Sequence, residues 1–350
     1  YFREDCPDLH VIAAGSLLEF VLEQDQFRMP VGRVQYIYVR PLSFQEFSAA
    51  LGHHLFLDHL AVTTLRNGLD PVFHQKGLDL LKQYMAIGGM PGVIHEYIHS
   101  KKNISDTYRM QAAILQTYRD DFAKYSTRTQ GQYLQKVFEQ VPKLLGRQIK
   151  YVEIDRSARS SDLKQAITLL AKSGIVTPIF VTAASGLPLS ATEKTAIFKT
   201  LFLDTGLAVN ACKLGAQIQF ADDVMTLSQG AIAEQLVGQE LIAYQDPFSN
   251  DSLYHWVRLE PGSQAEVDYV VALNGQVAPL EVKSGKTGRL RSMLQFVRDK
   301  KALFGVKISQ SPLSFDGTVL SVPLYMIAHI ERLAAEVVPA NPNPTKEVLT

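Results

Sequence analysis

Apolar residues recur at helical spacing through much of the first half of the chain and give way to strand-like runs beyond it. Helices are predicted within residues 48–100, over Ile104–Tyr125 with Arg109, Asp120 and Asp121 on polar faces, and over Gly131–Leu145. Ser43 and Glu46 stand three apart at the head of another run, the S-x-x-E signature of a capping box. Leu163, Ile167 and Leu170 mark a further helix, with Ser161 placed to cap it and Gly174 to end it. Strands follow over Ile175–Val181 and Thr195–Leu203, joined through the Ser-Gly-Leu-Pro loop at 185–188. Ile232, Leu236 and Leu241 then predict a helix that leaves Glu234 and Glu240 facing a cleft. Val267–Val271 and Val277–Val282 are β-branched and aromatic runs, and Asn274-Gly275 supplies the two-residue turn of a hairpin between them.

Composition narrows the class. The chain has 350 residues, 46% of them hydrophobic and 20% charged, which suits a globular protein of two or three domains. Lys+Arg and Asp+Glu balance at 35 each, so no global basic field draws in nucleic acid and any such contact must rest on a local patch. The best patch lies within 143–172. Seven basic side chains (Lys143, Arg147, Lys150, Arg156, Arg159, Lys164, Lys172) face three acidic ones (Glu153, Asp155, Asp162) there. Helix, strand, loop and strand over 161–203 also follow the plan of a winged helix, with DNA as the expected partner and docking to a protein as the other use of such a module. Two distant cysteines, Cys6 and Cys212, exclude a disulfide scaffold and fit a reducing cytoplasm. The longest uncharged stretch, 173–192, is broken by Gly174, Pro178, Gly186 and Pro188, so no membrane association is expected.

The chemistry concentrates in 265–285. Asp268 lies in the first strand of the hairpin, and Glu281 and Lys283, two apart, project from one face of the second. Asp268 and Glu281 are candidate ligands for a hard cation such as Mg²⁺, which prefers oxygen donors. Lys283 is a point charge suited to a phosphate oxygen. Glu234, on the preceding helix, is a further acid for the same site. The plainer reading is a solvated hairpin edge with charges kept for solubility.

Glu234, Asp268 and Glu281-Val282-Lys283 resemble the helix acid, strand acid and E-x-K of the PD-(D/E)XK nuclease superfamily, with Glu266-Val267 where that pattern has a proline before its aspartate. The surrounding GAIAEQLVGQEL, HWVRLEPGSQAEVDYVV and PLEVKSG resemble prokaryotic AAA-type P-loop ATPases that carry a C-terminal restriction-endonuclease-like domain. Leu9-HVIAAGSLLEF and Pro30-VGR resemble the same group. The resemblance makes Ser16 a polar sensor residue and Arg33 a phosphate-sensing arginine toward ATP. No G-x-x-x-x-G-K-[ST] loop occurs, and the lone Gly285-Lys286-Thr287 follows the E-x-K strand rather than a glycine five positions earlier.

The resemblance implies an α/β chain in five parts. Residues 1–47 are the C-terminal remnant of an AAA-type core, 48–100 a helical lid ending at Gly88-Gly89-Met90-Pro91, and 101–210 a helical and winged-helix domain closing on Asp204-Thr205-Gly206. Residues 215–335 are the nuclease-like domain and 336–350 a disordered proline-rich tail. The expected function is that of the C-terminal portion of an ATP-binding ATPase, whose nuclease-like domain cleaves DNA with Mg²⁺ and which does not hydrolyse ATP by itself. A non-catalytic DNA- or protein-binding module regulated by the ATPase core stays open beside it, and either is compatible with an oligomer.

Overall fold

The Asn274-Gly275 turn forms as the sequence predicts. Both residues take left-handed φ, 48° and 74°, and close strands β4 (Glu266–Leu273) and β5 (Gln276–Val282) with Leu273 opposite Gln276. In this computed structural model the described residues are 2–6, 8–13, 32–125, 128–215, 230–250, 252–258, 260, 265–283 and 290–338. Among them the protein is α/β, built on one mixed sheet of eight strands in the order β2-β1-β3-β4-β5-β6-β8-β7. The other strands are β1 (Val176–Thr182), β2 (Glu193–Phe202), β3 (Leu253–Val257), β6 (Gly305–Ser309), β7 (Ser314–Phe315) and β8 (Val319–Pro323).

The two strands read as a wing do not stand apart. β1 pairs antiparallel with β2 on one side and parallel with β3 on the other, Ile179 meeting Leu253. Val176, Ile179 and Val181 are all buried, a load of apolar surface that an isolated two-stranded wing has nothing to cover with. The helix before them runs Ser160–Lys172 and buries Leu163, Ile167 and Leu170. It starts on Arg159 as N-cap without a side-chain cap, so Ser161 lies inside the first turn; Gly174 follows at φ 72° as expected.

Before the sheet comes a helical layer. Its elements are α1 (Phe44–Ala50), α2 (His54–Val62), α3 (Pro71–Ile87), α4 (Pro91–His99), α5 (Ile104–Tyr125) and α6 (Arg128–Gln140), with Ser160–Lys172 as α7. The Ser43–Glu46 capping box is made in both directions: Ser43 N donates to Glu46 Oε2 at 2.8 Å and Glu46 N to Ser43 Oγ at 3.3 Å. After the first two strands come α8 (Thr205–Ala211), α9 (Ala231–Ala243), α10 (Arg291–Lys300) and α11 (Ile330–Ala335); the chain also makes two single helical turns, Phe2–Asp5 and Tyr151–Ile154.

Helix α9 is buried nearly all round, polar residues included. Gln235 Oε1 accepts from Phe202 N and its Nε2 donates to Phe202 O, both at 2.8 Å. Gln239 Oε1 accepts from Thr205 N at 2.7 Å, and its Nε2 donates to Tyr84 Oη at 3.0 Å. Glu240 therefore does not face a cleft. It accepts from Phe44 N (2.9 Å), the Tyr84 hydroxyl (3.0 Å) and the Tyr244 hydroxyl (3.0 Å). Asp204, the N-cap of α8, accepts from Gly89 N at 2.6 Å and Leu207 N at 2.9 Å. Three sequence signatures thus interlock: the Leu42–Phe47 segment and Asp204-Thr205-Gly206 each bond to α9, and the Gly88-Gly89 turn bonds to both of them.

Burial pushes the Glu240 carboxyl up from 4.5 to about 7 against the pull of its three hydrogen bonds. Because the folded pKa exceeds the unfolded one, its contribution to stability is complete below pH 4.5 and is lost as pH rises through about 7. A shift of that size amounts to about 3 kcal/mol. Urea midpoints of Glu240→Gln should therefore fall less than wild type between pH 4.5 and 7.5. The residual slope comes from Asp204, Glu234 and Glu281, whose pKa values are also raised. Parallel profiles for the two proteins would refute this assignment.

Candidate functional site

The hairpin pairing ends at Tyr269 opposite Leu280, and Asp268 and Glu281 follow at its open end. Like charges on neighbouring strands are unfavourable in a sheet unless something offsets them. Three contacts do so. Asp268 Oδ2 accepts from Val282 N at 2.8 Å. Lys283 Nζ lies 2.5 Å from Glu281 Oε1. The third is a residue to which the sequence motifs gave no role: Lys199, on β2.

Lys199 is 2% exposed and reaches into the acids from the outer strand of the sheet. Its Nζ pairs with Glu234 Oε1 at 2.8 Å, with Glu266 Oε1 at shorter range, and faces Asp268 Oδ1 at 3.8 Å. Glu266 stands two before Asp268 in β4, so strand alternation brings both toward the same cation. Burial opposes the Lys199 charge, but Glu234, Asp268 and Glu266 outweigh it and hold its pKa above the usual range. Glu234 is pushed up to about 7 by burial and by the Asp268 charge, against Lys199. Glu281 is likewise pushed up to about 7 by burial and by Asp268, against Lys283. His255, on β3 and fully buried, is driven down to about 3 by burial and then by Lys199. Its Nδ1 is 3.8 Å from Glu266 Oε1, and neither ring nitrogen has a hydrogen-bond partner.

The backbone is shaped around this cluster. Gly146, at φ 71°, lies so close that a Cβ there would sit 3.1 Å from Glu234 Oε2. The Tyr269 hydroxyl donates to Glu234 O at 2.7 Å, tying the first turn of α9 to β4.

Of the residues singled out from sequence, Glu234, Asp268, Glu281 and Lys283 come together. Asp268 is the link, since its charge acts on both glutamates. Arg33 stands elsewhere, in an ion pair with Glu4 at 2.7 Å, and both side chains are exposed. Ser16 lies outside the described residues, as do Gly285-Lys286-Thr287. Lys199, Glu266 and His255 are the additions that the structure makes. A signal for Lys199 was present: a single lysine within the apolar run Ile197-Phe198-Lys199-Thr200-Leu201-Phe202, and lysine is almost never fully buried without a partner.

Asp268 and Glu281 can be tested against a hard cation. Glu281 Oε2 is buried and has no hydrogen-bond partner, an acceptor for which a cation is the natural complement. Among the described residues no group of three or more His, Cys, Asp or Glu side chains is arranged to hold a metal ion. With Glu281 Oε2 open, the pair could supply at most part of the shell of a cation otherwise held by water, as Mg²⁺ commonly is. The donor set does not fit a closed all-protein cage.

Residues 78–218 match the model of a domain of unknown function, DUF8612, and residues 229–325 match another, DUF4143. The second is commonly found in AAA-ATPase-associated proteins. No curated protein and no solved structure matches the chain. Lys199 falls in the first matched segment, and Glu234, His255, Glu266, Asp268, Glu281 and Lys283 fall in the second. Among the described residues no helix is long and apolar enough to cross a membrane.

Proposed function

We propose that the cluster is a metal-dependent phosphodiesterase site that cleaves DNA, in a protein that works with or within an AAA-type ATPase. The observation that carries the reading is the gathering of Asp268 and Glu281 at the open end of the hairpin, with Lys283 on Glu281 and Glu234 near Asp268. The order of elements supports it: helix α9, three antiparallel strands β3-β4-β5, helix α10, then β6 parallel to β5. A sheet flanked by helices is the class of arrangement that the sequence resemblance to PD-(D/E)XK nucleases implies. The association of DUF4143 with AAA-type ATPases supports the second half of the proposal.

Asp268 and Glu281 would hold the cation; Mg²⁺ there supplies an activated water and offsets charge on the phosphate. Lys283, 22% exposed, keeps its ammonium at the mouth of the site, where a phosphate oxygen can meet it. Lys199 is too buried to reach a substrate. It fixes Glu234, Glu266 and Asp268 in place, a positioning role.

Nicking of supercoiled plasmid in Mg²⁺ or Mn²⁺ tests the reading. Wild type should nick, and Asp268→Ala and Lys283→Ala should each slow nicking by about 10²-fold or more. Absence of cleavage by wild type with either metal, on supercoiled, linear and single-stranded DNA, would remove the enzymatic reading. Lys199 specifically favours a second reading, because a buried lysine already engages three of the acids. In that reading the same fold is a non-catalytic module binding DNA or a protein under control of the ATPase. DNA affinity that falls with salt, without cleavage, would support it.

A further inference from the structure

A second concavity opens beside β2, away from the acid cluster. Phe198 and Lys199 are consecutive in that strand, so Phe198 projects to the face opposite the cluster. The cavity encloses about 390 Å³ between α7, β1, β2 and the segment around Tyr38 and Arg40, a volume typical of small-molecule sites. Its lining divides by chemistry. Tyr38, Tyr151, Phe180 and Phe198 supply aromatic surface, and Arg40, Lys164 and Lys172 supply positive charge. No acidic side chain lines it among the described residues.

The cations are placed for use. Lys164, Thr168 and Lys172 recur every four residues along α7 and form one exposed stripe on the rim. Neither Lys164 nor Lys172 has an ion-pair partner among the described residues. Arg40 is fixed opposite them: its Nη2 donates to Asn250 Oδ1 at 2.5 Å, and its guanidinium lies 5.3 Å from the Tyr38 ring centroid. The segment itself is anchored by Tyr38 N donating to Pro247 O at 2.8 Å. Aromatic faces beside cations, with no acid among the described lining residues, suit a ligand that is flat and aromatic at one end and anionic at the other.

We propose that this pocket binds a nucleoside phosphate, the base against the aromatic side chains and the phosphate on Lys164, Lys172 and Arg40. The ligand is either a free mononucleotide or an unpaired nucleotide of single-stranded DNA, which share this chemistry. The proposal does not depend on cleavage at the acid cluster, and its test is run in EDTA so that nuclease activity plays no part.

Calorimetric titration should show that deoxyadenosine 5′-monophosphate binds at least about tenfold more tightly than deoxyadenosine, ribose 5-phosphate or inorganic phosphate, since each of these lacks one of the two anchors. Lys164→Glu combined with Lys172→Glu should weaken it by about tenfold or more, and Tyr38→Ala by about tenfold. Both lysines are exposed, so an unchanged urea midpoint will show that the fold is intact. A twelve-nucleotide oligodeoxyadenylate binding more tightly than the monophosphate assigns the pocket to single-stranded DNA, and the reverse order assigns it to free nucleotide. Inorganic phosphate binding as well as the nucleotide, or undiminished affinity in the lysine double variant, overturns the proposal. So does lack of binding by both nucleotide and oligonucleotide.

Discussion

Lys199→Met should destabilise the protein by about 3–5 kcal/mol, the usual cost of removing one partner from a buried ion pair. The substitution keeps the length and apolar stem of the side chain but leaves Glu234, Glu266 and Asp268 facing one another without their cation. Two of these acids stand two apart on one strand, and the Glu234 side chain is only 12% exposed, so water replaces the lysine poorly. Urea unfolding at neutral pH measures the loss. Adding Glu266→Gln to Lys199→Met should recover part of it, because one of the charges left without Lys199 is then absent, and the double-mutant cycle reports that coupling directly. A loss below about 1 kcal/mol for Lys199→Met alone would mean that the acids do not depend on this lysine. Lys199→Arg is the useful companion. It keeps the charge but forces a larger planar group into a packed site, so it should restore only part of the stability.

The second large effect is expected at Gly206. A Cβ there would lie 2.3 Å from Ile87 O and 2.6 Å from Gly88 N, both backbone atoms that cannot rotate aside. Gly206→Ala should cost about 3 kcal/mol or more, at the upper end of overpacking effects. The loss should exceed that of Gly174→Ala, where a Cβ meets nothing within 4 Å and only the φ of 72° is strained. The interlock is reciprocal. A Cβ on Gly89 would lie 2.1 Å from Leu42 O, and one on Gly88 would lie 2.1 Å from Asp204 Oδ1. If Gly206→Ala unfolds at the same urea concentration as wild type, the close packing of α8 against the Gly88-Gly89 turn is not as described.

The hairpin and the helix α7 were legible because both are local. A left-handed dipeptide turn and an i, i+4 stripe are written in neighbouring residues. Strand pairing across the sheet is not. β1 meets β3 through Ile179 and Leu253, far apart in sequence, and no local pattern distinguishes a wing from two outer strands of a larger sheet. The same distance hid part of the site. Asp268, Glu281 and Lys283 belong to one hairpin and Glu234 to the helix before it, so motif spacing found them. Lys199 reaches them from β2, and its partners can be named only once the strand order is known. Glu240 was misread for a related reason: its partners Phe44 and Tyr84 come from the front of the chain. Seen on α9 alone, it resembled a solvent-facing acid.

The continuity of the sheet bears on how this chain can be inherited and divided. The two matched segments end at residue 218 and begin at residue 229, yet β1 and β2 belong to the first and the remaining strands to the second. A gene rearrangement that parted them would strip β3 of one of its two hydrogen-bonded neighbours and take Lys199 away from its acids in the same stroke. The two segments are therefore expected to be inherited together, with substitutions at position 199 and at positions 234, 266 and 268 covarying across the boundary in an alignment of homologues.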